Sequence, residues 1–167
     1  MYNPVSILHT VEKMEKHVFD TAVFTLGTNH VYVERTTGEI VDNCRKRPQR
    51  LFEERELTVE ECTGALHESV LLLRKNNPGI KVILTVSPIR YAKYGYHGSR
   101  LSKAVLLLAA DRLVKELDET AYYFPAYEIV NDELRDYRFY KPDMLHPSDQ
   151  TVDYIWERLV EACFSAE

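Results

Sequence analysis

The chain has 167 residues, 45% of them hydrophobic and 28% charged, the makeup of an ordinary globular domain with enough apolar side chains to bury a core. Its formal charge of −5 argues against a protein built to neutralise phosphates, so nucleic acid is not expected as a partner. No apolar run approaches the ~18 residues of a bilayer span and the N-terminus lacks a signal-peptide pattern, so no membrane is expected either.

Asn3-Pro4 opens the first predicted element, with Asn3 as N-cap, Pro4 at the first helical position and Val5, Ile7, Leu8, Val11 and Met14 at amphipathic spacing. Residues 20–28 read as a buried parallel strand stopped by Gly27. Val31-Tyr32-Val33 and Glu39-Ile40-Val41, joined through Thr36-Thr37-Gly38, read as a small hairpin beside the main sheet. The basic cluster Arg45-Lys46-Arg47 with Arg50 is compensated at once by Glu53, Glu54 and Glu56. Thr58-Val59-Glu60-Glu61 is a capping box for a long helix, faced by Val59, Cys62, Leu66, Val70 and Leu73 and stopped by Asn76-Asn77-Pro78-Gly79.

Residues 80–86 form a second buried strand, closed by Ser87-Pro88. Residues 89–100, rich in Tyr, Gly and His without a clear period, read as a surface loop. A helix over 101–117, nearly apolar all round at residues 105–108, is expected to lie deep against the sheet. Another strand is expected over 121–130, shortened or placed at an edge by Pro125, and residues 131–140 as a helical turn or irregular link. The last helix opens near Pro147 and puts Val152, Ile155, Trp156, Leu159 and Cys163 on one face. Strands alternating with helices imply a three-layer α/β/α sandwich with a mostly parallel sheet, flavodoxin-like in plan, as a single domain over residues 1–167.

In such a sheet the ligand crevice lies beyond the carboxyl ends of the strands. Three polar groups fall there: Gly27-Thr28-Asn29-His30, Ser87-Pro88-Ile89-Arg90, and Asp143-Met144-Leu145-His146. An Asp that fixes the tautomer of a His, and a His that takes a proton from a hydroxyl, are two members of a Ser-His-Asp triad. The same spacing also suits a plain helix entry, with Asp143 accepting backbone N–H bonds and His146 preceding Pro147. Arg90, Tyr91, His97 and Ser99 are candidates to bind an anionic or sugar-like substrate, against a solvated loop as the plainer alternative. Ser87, before Pro88, reads as a turn residue lining the crevice rather than a nucleophile.

The segments Tyr2-Asn3-Pro4-Val5-Ser6, Thr25-Leu26-Gly27-Thr28, Asn43-Cys44-Arg45-Lys46, Leu84-Thr85-Val86-Ser87-Pro88, Ser102-Lys103-Ala104, residues 123–128, residues 134–140 and Asp143-Met144-Leu145-His146-Pro147-Ser148 together resemble the GSCFA domain proteins of bacteria. The resemblance covers nearly all of the chain, and that family is similar to the SGNH or GDSL esterases. It implies an SGNH-like fold, His146 as general base with Asp143 as its orienter, and no cofactor or metal. It implies a nucleophilic Ser in a Gly-Ser-Cys-Phe-Ala segment upstream, which these residues do not contain, so the first strand is expected to be lacking. It also offers Gly27 and Asn29, and Asn43, as candidates for an oxyanion hole. Two positions depart from the family pattern: an aromatic is preferred where His30 stands and a His where Arg45 stands.

The function expected is hydrolysis of an acyl or acetyl ester, a small molecule or one linked to carbohydrate, with the Ser supplied from elsewhere. The alternative is a non-catalytic binding domain that keeps the fold, with a homodimer formed through an open sheet edge. A metal-dependent hydrolase using Asp143, His146 and His30 or His97 is the third reading, supported only by one local pair. Three cysteines, Cys44, Cys62 and Cys163, form no CxxC pair and suit a reducing, cytoplasmic setting.

Overall fold

A computed structural model describes residues 3–14, 17–41, 44 and 47–164. Asn43 and Arg45 lie outside the described residues. Helix α1 (Pro4–Glu12) opens as its sequence dictates: the Asn3 side chain accepts from the Ser6 amide at 2.8 Å while the Ser6 hydroxyl takes the Asn3 amide, with Pro4 at the first helical position. Helix α2 (Val59–Asn76) has the Thr58/Glu61 capping box in place.

The main sheet is parallel, in the order β1 (Thr21–Leu26), β5 (Lys81–Val86), β6 (Ala121–Phe124). Period-two alternation divides its side chains between two cores. Phe24, Leu26, Val82, Leu84 and Val86 pack with Ile7 and Val11 of α1, with Cys62, Leu66, Val70 and Leu73 of α2, and with Leu106, Ala110 and Leu113 of α3 (Gly95–Glu116). Ile83 and Phe124 face the other way, against Ala126 and Ile129 after β6 and Leu159 of the last helix. Two helical layers therefore enclose the sheet, an α/β/α sandwich.

The second layer covers only part of its face. Thr21, Val23 and Thr25 of β1 are exposed, Val23 at 45%, and β1 pairs only with β5 among the described strands. This corrects the expectation of a buried first strand: β1 is an edge strand with one face bare. The hairpin forms between β2 (His30–Glu34) and β3 (Ile40–Val41), with Gly38 at φ 74°, where a side chain would be strained. A third strand, β4 (Phe52–Glu56), pairs antiparallel with β2 and completes a separate small sheet.

Four expectations change further along. Residues 89–100 are no open loop: a 3₁₀ turn at Ala92–Tyr94 leads through Gly95, at φ 64°, into α3. Leu108 of α3 is exposed although Leu106 is fully buried. The strand expected over 121–130 stops at Phe124, because Pro125 has no amide to continue the ladder, and the chain coils into α4 (Ala126–Glu128) and a π-helical turn at Ile129–Leu134. The final helix, α5 (Asp149–Cys163), is N-capped by Ser148, and of its expected apolar face Leu159 is buried while Val152 and Trp156 are exposed.

Candidate active site

All three strands of the main sheet point the same way, so the segments after Leu26, Val86 and Phe124 emerge at one end. The loop carrying Asp143 and His146 is fastened there: the Arg90 amide donates to the Leu145 carbonyl at 3.0 Å. It is also closed on itself, by Lys141 N–H to the His146 carbonyl at 2.7 Å and by the Tyr140–Pro147 bridge.

Within it the Asp143 carboxylate makes both backbone and imidazole contacts. One carboxylate oxygen accepts the Leu145 and His146 amides at 2.8 and 3.0 Å, and the other lies 2.6 Å from His146 Nδ1. The backbone bonds from His146 and Leu145, then the imidazole, hold the Asp143 carboxyl down at about 2. An ionised carboxylate on Nδ1 makes that nitrogen the N–H and leaves Nε2 as the basic one, the tautomer a general base requires. Among the described residues no hydroxyl or thiol is bonded to the His146 ring; its side chain is 53% exposed.

The loop after β1 is fixed from α3. The Ser102 hydroxyl accepts the Asn29 amide at 3.0 Å and meets Thr28 Oγ1 at 3.2 Å, and Lys103 Nζ donates to the Gly27 carbonyl at 2.5 Å. Asn29 is buried, with its side-chain N–H₂ donating to the Leu57 carbonyl at 2.8 Å. Ser87 is half-buried at the end of β5, where its hydroxyl accepts the Ile89 amide, a turn contact. Arg90 stacks on Tyr140, 4.0 Å from the ring centre, and lines an open cavity of about 440 Å³. His97 is exposed on the first turn of α3.

His30 serves as an aromatic plate. Its ring stacks on Tyr94 at 3.6 Å and 4°, and burial lowers its pKa against the opposing pull of Glu56 and Glu54. Glu54 accepts Tyr94 Oη and Lys93 Nζ, each at 2.6 Å, which ties the small sheet to the turn after β5. No group of three or more His, Cys, Asp or Glu side chains gathers as a metal site among the described residues.

Lys103, only 2% exposed, is a further polar residue at the strand ends, beyond the candidates that the sequence nominates. Its signal was its phase: it falls on the face of α3 that carries Ser99, Ser102, Leu106 and Ala110, where a lysine is out of place without a purpose. Desolvation brings its ammonium down to about 7.

The parallel α/β/α sandwich is similar in fold to two solved structures. A carbohydrate esterase family 3 protein from Talaromyces cellulolyticus superposes with a TM-score of 0.58 and 16% identity, covering 95% of this chain and 64% of its own. This chain thus spans just under two thirds of that esterase's length. A Streptococcus pneumonia protein described as a "putative platelet activating factor" superposes with a TM-score of 0.50 and 11% identity, covering 93% and 90%. The sequence profile of the GSCFA family matches residues 5–159, and the chain belongs to that family. No curated protein matches it. No helix among the described residues is long and apolar enough to cross a membrane.

Proposed function

We propose that the chain carries the Asp–His half of an SGNH-like serine ester hydrolase acting on an acyl or acetyl ester, free or carbohydrate-linked. The observation behind this reading is the His146 Nδ1 to Asp143 Oδ2 contact of 2.6 Å in a loop closed by backbone bonds at the strand ends. A Ser that these 167 residues do not supply would attack the acyl carbon. His146 Nε2 would take its proton and return it to the departing alcohol, and water would repeat the sequence to free the acid. Gly27, Asn29 and Asn43 are the candidates for N–H groups around the developing oxyanion, and Ser87 and Arg90 for contacts to the substrate. The free thiols of Cys44, Cys62 and Cys163 support a reducing, cytoplasmic setting.

Hydrolysis of nitrophenyl acetate, measured on the full reading frame and on the 167-residue chain, tests this. The long form should turn over, and His146→Ala should lower its kcat on the order of 10³-fold or more. Undiminished activity in that variant would sink the assignment of the base, and activity in the short form would rule out a Ser supplied from outside it.

Among the described strands β1 pairs on one side only, which favours a second reading, a non-catalytic binding domain that pairs through this edge, with itself as a homodimer. Sedimentation of the short form discriminates: a dimer that Val23→Lys dissociates supports it, a monomer at high concentration rejects it.

A further inference from the structure

The cavity beside the His146 loop has an unusual lining. Its walls come from Pro88 to Ala92 after β5, from Ser99, Arg100 and Lys103 of α3, from Tyr127 and Asn131 after β6, and from Tyr137 and Leu145. None of these lining residues is an Asp or Glu, yet three are basic. Each of the three is held by a ring, a hydroxyl or a carbonyl rather than by a carboxylate. Arg90 lies over the Tyr140 and Tyr137 rings at 4.0 and 5.4 Å, with Nη1 3.5 Å from the Met144 carbonyl. Arg100 Nη1 donates to Tyr127 Oη at 3.4 Å, and Lys103 donates to the Gly27 carbonyl beneath the Tyr91 ring.

Arg90 and Arg100 also line an adjoining hollow of about 190 Å³, so both guanidiniums stand on the wall the two spaces share. The one carboxylate in that hollow, Asp136, is engaged by Arg138 at 3.2 Å. Tyr140 lines it too, 8% exposed, with the Arg90 guanidinium over its ring and close to its hydroxyl. Stacking occupies the face of a guanidinium and leaves its in-plane N–H donors available, the geometry that grips a planar anion.

We propose that this cavity binds small molecules with a carboxylate or phosphate on a flat or ring-shaped body, the anionic group taken by Arg90 and Arg100 and the body laid against Tyr91 and Tyr127. The volume suits a single ring with substituents. Taken with the esterase reading, on which this extension rests for its biological meaning, the substrate is an acidic ester.

Binding alone tests the site, by calorimetric or NMR titration of the 167-residue chain at low salt with benzoate, phenyl phosphate and neutral benzyl alcohol. Either anion should bind at least ~10-fold more tightly than the alcohol, and Arg100→Gln, an exposed position where folding is safe, should remove most of that advantage. Arg90→Lys, which keeps the charge and loses the fork, should weaken the favoured anion as well. Preference for benzoate or for phenyl phosphate tells a carboxylate substrate from a phosphate one. Benzyl alcohol binding as well as both anions, or affinities that survive both variants in folded protein, overturns the proposal. No turnover is needed, so an inactive full reading frame would count against the hydrolase and not against this site.

Discussion

Lys103 shows how far a single residue is governed by where the fold puts it. Its neighbours on α3 are apolar or small, and its ammonium reaches the Gly27 carbonyl through a buried position. Folding lowers its pKa from 10.5 to about 7, so between those values the unfolded chain holds the proton more tightly and stability rises with pH. Urea unfolding between pH 7 and about 8.5 should show this rise in the wild type and a flatter line for Lys103→Met; above about pH 9 the buried Cys62 thiol, raised to about 12, opposes it. Tyr94 and Tyr123, whose pKa values are raised, act with the opposite sign but only above about pH 10, outside that window. At the same scale the Asp143–His146 contact joins residues three apart, so the spacing could suggest it, but the spacing alone suits a plain helix entry equally well, and the same carboxylate also makes those backbone bonds. The Arg100 and Tyr140 contacts were not legible, because they join residues far apart in the chain.

Among the elements, those with a local signature were readable and those held by distant partners were not. The Asn3 and Thr58 caps announce α1 and α2, and the apolar runs after them announce β1 and β5. Thr58→Ala removes a cap that satisfies the Glu61 amide, so it should cost about 1 kcal/mol in denaturant unfolding with an unchanged m-value. By contrast β4, Phe-Glu-Glu-Arg-Glu, has four charged residues and no alternation to read. It is a strand only because β2 offers it a ladder, with Val31 opposite Arg55 and Val33 opposite Glu53. The start of α3 is hidden likewise: Gly95-Tyr96-His97-Gly98 has poor helix propensity, and its place is set by Tyr94, stacked on His30 and bonded to Glu54. The absence of a periodic signal therefore made one side of the cavity look like a loop.

At the scale of the molecule, the parallel sheet does two things at once. It collects the ends of β1, β5 and β6 where the site lies, and it spreads two apolar cores over its faces. The fold class followed from the order of elements, since parallel strands need helical crossovers. The uneven cover of the second face did not, because sequence pattern reports which residues are apolar and not which of them find a neighbour. Val23 is as hydrophobic as Val82, yet one is 45% exposed and the other fully buried.

The unpaired side of β1 carries a signature of its own in hydrogen exchange. Successive residues of a strand direct their N–H groups to opposite sides, so in β1 every second amide meets β5 and those between meet no other strand among the described residues. Deuterium uptake in the short form should therefore alternate, residue by residue, between slow and fast within Thr21–Leu26. A strand laid along that side, from a longer reading frame or from another molecule, would slow the fast set and leave the slow set as it was. The six amides of one strand thus count the neighbours it has, without any assay of what the protein does.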